Sequence, residues 1–176
     1  SFEFRLESND RFVRPEVVMV YSGNGFADMS NTFHKLYRTR LCRGKWRDKE
    51  RPILINNWEA TYFDFNKNKL LSIADKAAEA GIELFVLDDG WFGNRNNDRS
   101  SLGDWYENKE KLGGSLAELA GDINDRGLMF GLWVEPEMVS PDSDLYRAHP
   151  DWAIQIPGRA PGLMRAQLVL GLSRPE

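Results

Sequence analysis

Cysteine occurs once, at Cys42, and histidine twice, at His34 and His149, so the 176-residue chain can form neither an intrachain disulfide nor a Cys/His zinc cluster. No window approaches the roughly 18 uncharged apolar residues of a membrane-spanning helix, so no membrane partner is expected. No Gly-rich phosphate loop follows any apolar segment, which disfavours a nucleotide-binding sheet. Internal repeats and low-complexity runs are missing as well. What remains is 41% hydrophobic and 12% aromatic, with 23 basic and 27 acidic side chains and a net charge of −4, the balance of a folded globular protein. Ser1 stands where an initiator Met would, so the chain is expected to begin inside a longer one, and the cytoplasm is its expected compartment.

Charge is unevenly spread. Residues 1–52 hold 11 basic and 7 acidic side chains, net +4, whereas residues 53–176 hold 12 and 20, net −8. Patterning changes at the same place, which sets a boundary between residues 1–51 and 52–176. Before it, Phe2 to Leu6 and part of Val17 to Tyr21 alternate apolar and polar, as the end of an antiparallel β region does. Ser30 then introduces Phe33, Leu36, Tyr37 and Leu41, the stripe of a helix leading out of that region.

After Pro52 strands and helices alternate. Ile53 to Ile55 is a short apolar run; Leu70, Leu71, Ala74, Ala77 and Ala78 form a helical stripe closed by Gly81; Ile82 to Leu87 is rich in strand formers. Ser115 and Glu118 make a capping box ahead of Leu116, Leu119, Ala120 and Ile123, with Gly127 past the last turn. Leu128 to Val134 reads as a third strand, Pro141 to Ala148 as a short helix and Leu168 to Leu172 as a fourth strand. Near-continuous apolar strands between helices imply a parallel sheet covered on both faces, either doubly wound or a (β/α)-barrel.

The strand ends favour the barrel, whose functional residues gather at the C-terminal face. Ile55 runs into Asn56-Asn57-Trp58-Glu59, Leu87 into Asp88-Asp89-Gly90-Trp91, and Leu132 into Trp133-Val134-Glu135-Pro136-Glu137. Three or four strands cover about half of a barrel of eight. Carboxylates beside tryptophans suit carbohydrate, because a carboxylate accepts from several hydroxyls while an indole packs on the C–H face of a sugar ring. Asp88 and Asp89 are the sharpest pair: two adjacent carboxylates ending an apolar strand need donors, from a ligand or from Arg95 or Arg99. Trp58 and Trp133 sit at strand ends, while Trp105 and Trp152 are as readily core. Glu135 and Glu137, two apart, would share a strand face. Arg165 reads either as a surface residue or as a ligand donor, and His34 and His149 read as packing or surface residues.

The segments Arg51-Pro52-Ile53-Leu54-Ile55-Asn56-Asn57-Trp58-Glu59, Leu87-Asp88-Asp89-Gly90-Trp91-Phe92-Gly93, Gly131-Leu132-Trp133-Val134-Glu135-Pro136-Glu137-Met138 and His149-Pro150-Asp151-Trp152 resemble the α-galactosidases of glycoside hydrolase family 36. Pro15-Glu16-Val17 and Phe33-His34-Lys35-Leu36-Tyr37-Arg38 resemble the passage from that family's β-sandwich into its barrel. The resemblance implies an α/β fold, a partial (β/α)8 TIM barrel over residues 52–176, preceded over residues 1–51 by the end of a β-sandwich domain and a linker helix. It implies retaining removal of terminal α-galactosyl residues from galactosides such as melibiose and raffinose, with no cofactor or metal, and a homo-oligomer in the complete enzyme. Asp88 and Asp89 match carboxylates that grip the galactose C4 and C6 hydroxyls, Trp58 and Trp133 match aromatic walls, and Arg165 matches a substrate-contacting arginine. The family's nucleophile lies in a Lys-Trp-Asp segment and its acid/base in a later Asp; neither segment occurs here, so no catalytic residue is assigned and both are expected beyond Glu176. Gly171 stands where the family typically has Asp, which would weaken the fourth strand.

Two rival classes are weaker. A noncatalytic galactose-binding fragment would keep the gripping residues and lack turnover. A nucleic-acid partner is suggested only by Arg38, Arg40, Arg43, Lys45, Arg47, Lys49 and Arg51, a run broken by Asp48 and Glu50 in an acidic chain, and none is expected.

Overall fold

The computed structural model describes residues 5–173, and the chain divides into two units, Ser1–Arg51 and Pro52–Glu176. In the first unit, helix α1 (Phe26–Leu36) starts four residues before the expected Ser30. Ser22 fixes the preceding turn, its Oγ donating to the Gly25 carbonyl (3.1 Å) and to Asp28 Oδ2 (2.7 Å), and Gly25 at φ 87° is the N-cap. The helix widens into one π turn at Tyr37–Leu41, where Cys42 N donates to the Tyr37 carbonyl. No strand forms among the described residues of this unit. Val17, Met19 and Tyr21 carry the expected alternation, but no neighbouring segment supplies a ladder and all three are exposed. Most of the other alternating stretch, Phe2 to Phe4, lies outside the described residues.

The second unit is built on a three-stranded parallel sheet, β1 (Leu54–Asn56), β2 (Leu84–Leu87) and β3 (Met129–Leu132), in the order β1-β2-β3. The register pairs Asn56 with Val86 and Leu87 with Leu132, so all three C-terminal ends finish at one edge. The connections carry α2 (Trp58–Thr61), α3 (Lys67–Glu79), α4 (Lys109–Leu112) and α5 (Leu116–Asn124). Helix α3 starts at Asn66, whose side chain accepts from Lys69 N (3.0 Å), and α5 starts at the anticipated Ser115/Glu118 capping box, with both of its bonds made.

Because the strands run in sequential order, right-handed crossovers put successive helices on the same face. Leu70, Ala74 and Ala77 of α3 and Leu119 and Ile123 of α5 accordingly share one core with Phe85 and Leu87. This corrects the expectation of a sheet covered on both faces. The alternate residues Leu84, Val86 and Met129 are only half-buried, and Leu54 is exposed. Gly131 belongs to that open face, where a Cβ would stand 3.0 Å from Val86 Cγ2.

The expected fourth parallel strand is also corrected. β5 (Leu168–Val169) pairs antiparallel with β4 (Met138–Val139) in a separate small sheet. Leu170 N donates to the Glu137 carbonyl (2.9 Å), while Ile154 N donates to Val169 O and Gly171 N to Trp152 O, both at 2.8 Å. Segment 168–171 therefore finds its backbone partners on both sides within this subdomain and leaves none for the main sheet. Gly171 is held by its own backbone bond, and a Cβ there would meet only ordinary contacts. The expected short helix is α6 (Asp144–Ala148), capped by Ser143. No helix of the described residues is long and apolar enough to cross a membrane.

Candidate sugar site at the strand ends

Two asparagines shape the ledge above β1 and β2. Asn56 Oδ1 accepts from Trp58 N (2.7 Å) and its amide nitrogen donates to Asp88 Oδ2. Asn57, fully buried, accepts from Asp88 N through Oδ1 (2.9 Å) and donates to Thr61 Oγ1 (2.9 Å). One asparagine thus holds the Asp88 carboxylate and the next its backbone. Residue type alone could not single them out, because an amide after a strand serves equally as a turn former.

Asp88 is half-buried, and its Oδ1 accepts from Asp89 N (2.7 Å). Asp89 is buried and ion-paired: Arg95 Nε donates to Oδ1 (2.9 Å) and Oδ2 (3.2 Å), and Nη2 to Oδ2 (2.8 Å). Of the two arginines considered from sequence, Arg95 makes the pair. Arg99 is exposed and lies beside Asp98. The loop that delivers Arg95 is tied by Gly93 N to Tyr106 O and Asn108 N to Trp91 O, both at 2.9 Å. Lys111 lies behind it, 4.2 Å from the Phe65 ring centroid, and burial pushes its ammonium down to about 8 against the opposing pull of Asp89 and Asp64.

The aromatics form two groups. Trp58 is half-buried and meets Tyr62 and Phe63 edge-on at 5.2 and 5.0 Å. Trp133, at the end of β3, joins Trp91, Phe92 and Trp105; its ring is stacked 6.5 Å from Phe92, and its carbonyl accepts from Trp91 Nε1 (3.0 Å). Trp133 N donates to Leu87 O (2.9 Å), which fixes it beside the aspartate strand end. Trp105 packs on the core and Trp152 stacks with His149 at 4.0 Å.

β3 ends at Leu132 and the chain turns at Pro136-Glu137, so Glu135 and Glu137 do not share a strand face as expected. Glu135 is half-buried; burial raises its carboxyl above the ordinary range, opposed mainly by Arg165, with Glu137, Arg95 and Asp89 also within electrostatic reach. Asp88, Asp89, Trp58 and Trp133 are therefore brought to one edge of the sheet. Arg165 is exposed, at φ 52°, and among the described residues within electrostatic reach of Glu135 only. Among the described residues no cluster of three His, Cys, Asp or Glu side chains forms that would hold a metal ion.

Residues 11–176 of this parallel α/β chain match the Melibiase family, and the chain belongs to that family. It is 61% identical over 175 residues to alpha-galactosidase AgaA of Geobacillus stearothermophilus and 52% identical over 176 residues to alpha-galactosidase Mel36A of Lactobacillus acidophilus, covering 99% and 100% of this chain. In each case it spans 24% of the relative's length. Among solved structures, a variant of the G. stearothermophilus GH36 alpha-galactosidase AgaA in complex with raffinose superposes with a TM-score of 0.84 at 63% identity, over 89% of this chain and 22% of that one.

Proposed function

We propose that this chain is the substrate-gripping part of a retaining α-galactosidase that removes terminal α-galactosyl residues from raffinose-type oligosaccharides. The observation that carries it is the meeting of Asp88, Asp89, Trp58 and Trp133 at the C-terminal strand ends of a melibiase-family chain. Asp88 and Asp89 each retain acceptor capacity for sugar hydroxyls, Trp58 and Trp133 wall the ring, and Arg165 approaches from the segment after β3. Retaining hydrolysis needs two carboxylates about 5 Å apart across the scissile bond. We assign neither to these residues and place both in a later part of a longer chain.

Residues 52–176 are, on this reading, the first half of a (β/α)8 barrel, and residues 1–51 the end of a β-sandwich with its linker helix. Sequential strand order and the half-exposed face of Leu54, Leu84, Val86 and Met129 support it, since that is the face a closed barrel turns inward. The raffinose and stachyose complexes of similar AgaA variants support the substrate class.

The test is hydrolysis of 4-nitrophenyl α-galactoside and α-glucoside by a chain of the relatives' length carrying these residues. The α-galactoside is expected to be strongly preferred, with Asp88→Asn and Asp89→Asn each lowering kcat/KM by about 100-fold, a loss of about 3 kcal/mol of transition-state binding. Equal turnover of the glucoside, or intact galactoside turnover in both variants, would refute the reading.

A further inference from the structure

We infer that Arg95 is a positioning residue for Asp89: it sets the angle at which that carboxylate meets a sugar hydroxyl, and so tunes recognition of the α-galactoside. The inference rests on the galactoside reading above and adds a specificity determinant behind the gripping pair.

Arg95 is 1% exposed, so its whole guanidinium is committed to the interior. Nε and Nη2 fork onto the two oxygens of Asp89, and Nη1 donates to the Ser100 carbonyl at 3.0 Å. A carboxylate held by a planar fork cannot rotate without breaking both charge-assisted bonds, and Oδ1, which takes only the Nε bond, keeps a lone pair for another donor. The guanidinium also sits 5.6 Å from the centroid of the Phe63 ring, and Phe63 meets Trp58 edge-on. Arg95 thus braces a carboxylate and an aromatic wall of the same site from behind.

The geometry depends on the fork rather than on the positive charge alone. A lysine at this position supplies the charge from a single point and cannot hold both oxygens. Asp88 offers the internal contrast: Asn56 and Asn57 position it, and Arg95 makes none of its bonds.

The test compares 4-nitrophenyl α-galactoside with its 4-deoxy and 6-deoxy analogues, using parent, Arg95→Lys, Asp89→Asn and the double variant in a chain of the relatives' length. Arg95→Lys is expected to raise KM for the galactoside about tenfold with a smaller change in kcat. It should reduce discrimination against the same deoxy analogue as Asp89→Asn does, and the double variant should lose no more than Asp89→Asn. Equal losses on all three substrates, or discrimination unchanged in Arg95→Lys while Asp89→Asn abolishes it, would overturn the inference and leave the galactoside reading standing. Unchanged discrimination in Asp89→Asn would remove Asp89 from the sugar contacts and overturn the inference as well. Should Arg95→Lys fail to fold, the double variant Arg95→Gln/Asp89→Asn, which buries no net charge, is compared with Asp89→Asn. Matching discrimination supports the inference, and a further loss of discrimination overturns it.

Discussion

The loop after β2 and the segment after β3 both lead away from the same sheet edge, yet they hold their polar residues in different ways. Between residues 88 and 108 the chain folds back on itself around buried Phe92, Arg95, Leu102 and Asp104, and Asp89 is fixed by a partner six residues on. Between residues 133 and 172, Ile154, Ile156, Leu163 and Met164 are exposed. Arg165 and Ala166 both sit at positive φ in a turn closed by the Met164–Gln167 backbone pair. Gln167 is buried with neither amide atom hydrogen-bonded among the described residues. The first region carries its own preorganisation; the second leaves the orientation of Arg165 to something outside its own turn.

The largest break in that contrast comes from Asp89→Ala. It strands the Arg95 guanidinium in the interior, and a buried pair deprived of one member costs about 3–5 kcal/mol. Arg165→Ala, at an exposed position, should change stability by less than about 0.5 kcal/mol. Denaturant unfolding of both variants in a chain of the relatives' length checks the pair, and similar losses would mean that the two regions are equally braced. Gly90→Ala comes next. At φ +102°, with a Cβ 3.0 Å from Phe63 Cδ1 and 3.2 Å from the Arg95 carbonyl, an alanine is both strained and crowded. A loss of about 2–3 kcal/mol is expected, and a crystal structure should show Arg95 displaced.

Gln167→Met sharpens the other side of the comparison. Removing an unpaired buried amide while roughly keeping its volume should raise stability by about 1–2 kcal/mol, because the desolvation cost disappears. Destabilisation instead would show that the amide has a partner in the longer chain and that the segment after β3 is braced from there.

Local chemistry was readable from sequence where it stays local. The Ser115/Glu118 box closes on a three-residue spacing, and the parallel strands announce themselves by apolar runs that end in Asn56, Asp88 and Trp133. The β4–β5 sheet has no signature in sequence, because two-residue strands 29 residues apart carry no periodicity and only the tertiary packing of Val139, Ala153 and Leu168 pairs them. The choice between Arg95 and Arg99 was equally invisible. It depends on Gly93 at φ +45° turning the loop against Ser101 and Asp104 so that one arginine faces inward. Asn56 and Asn57 carry no sequence signal of their own, because their role exists only once β1 lies beside β2.

Lys111 provides a small expected effect and the most specific one. Its folded pKa, near 8, lies below its ordinary value of 10.5, so between those limits the unfolded chain binds more protons and stability rises with pH. Below pH 8 the buried charge is a standing cost, and Lys111→Met removes it while keeping an apolar stem against Phe65. With half of the side chain open to solvent screening, the gain is about 1 kcal/mol rather than the full value of the shift. The variant also gives up the donations to the Arg95 carbonyl (3.4 Å) and Asn96 Oδ1 (3.2 Å), which are long enough to offset little of that gain. The stability difference between variant and parent should be largest at pH 7 and shrink steadily toward pH 10.5, as read by urea unfolding across that range. A difference independent of pH would show that the ammonium behind Asp89 is as well solvated as one on the surface, and that the loop after β2 is less closed than its hydrogen bonds imply.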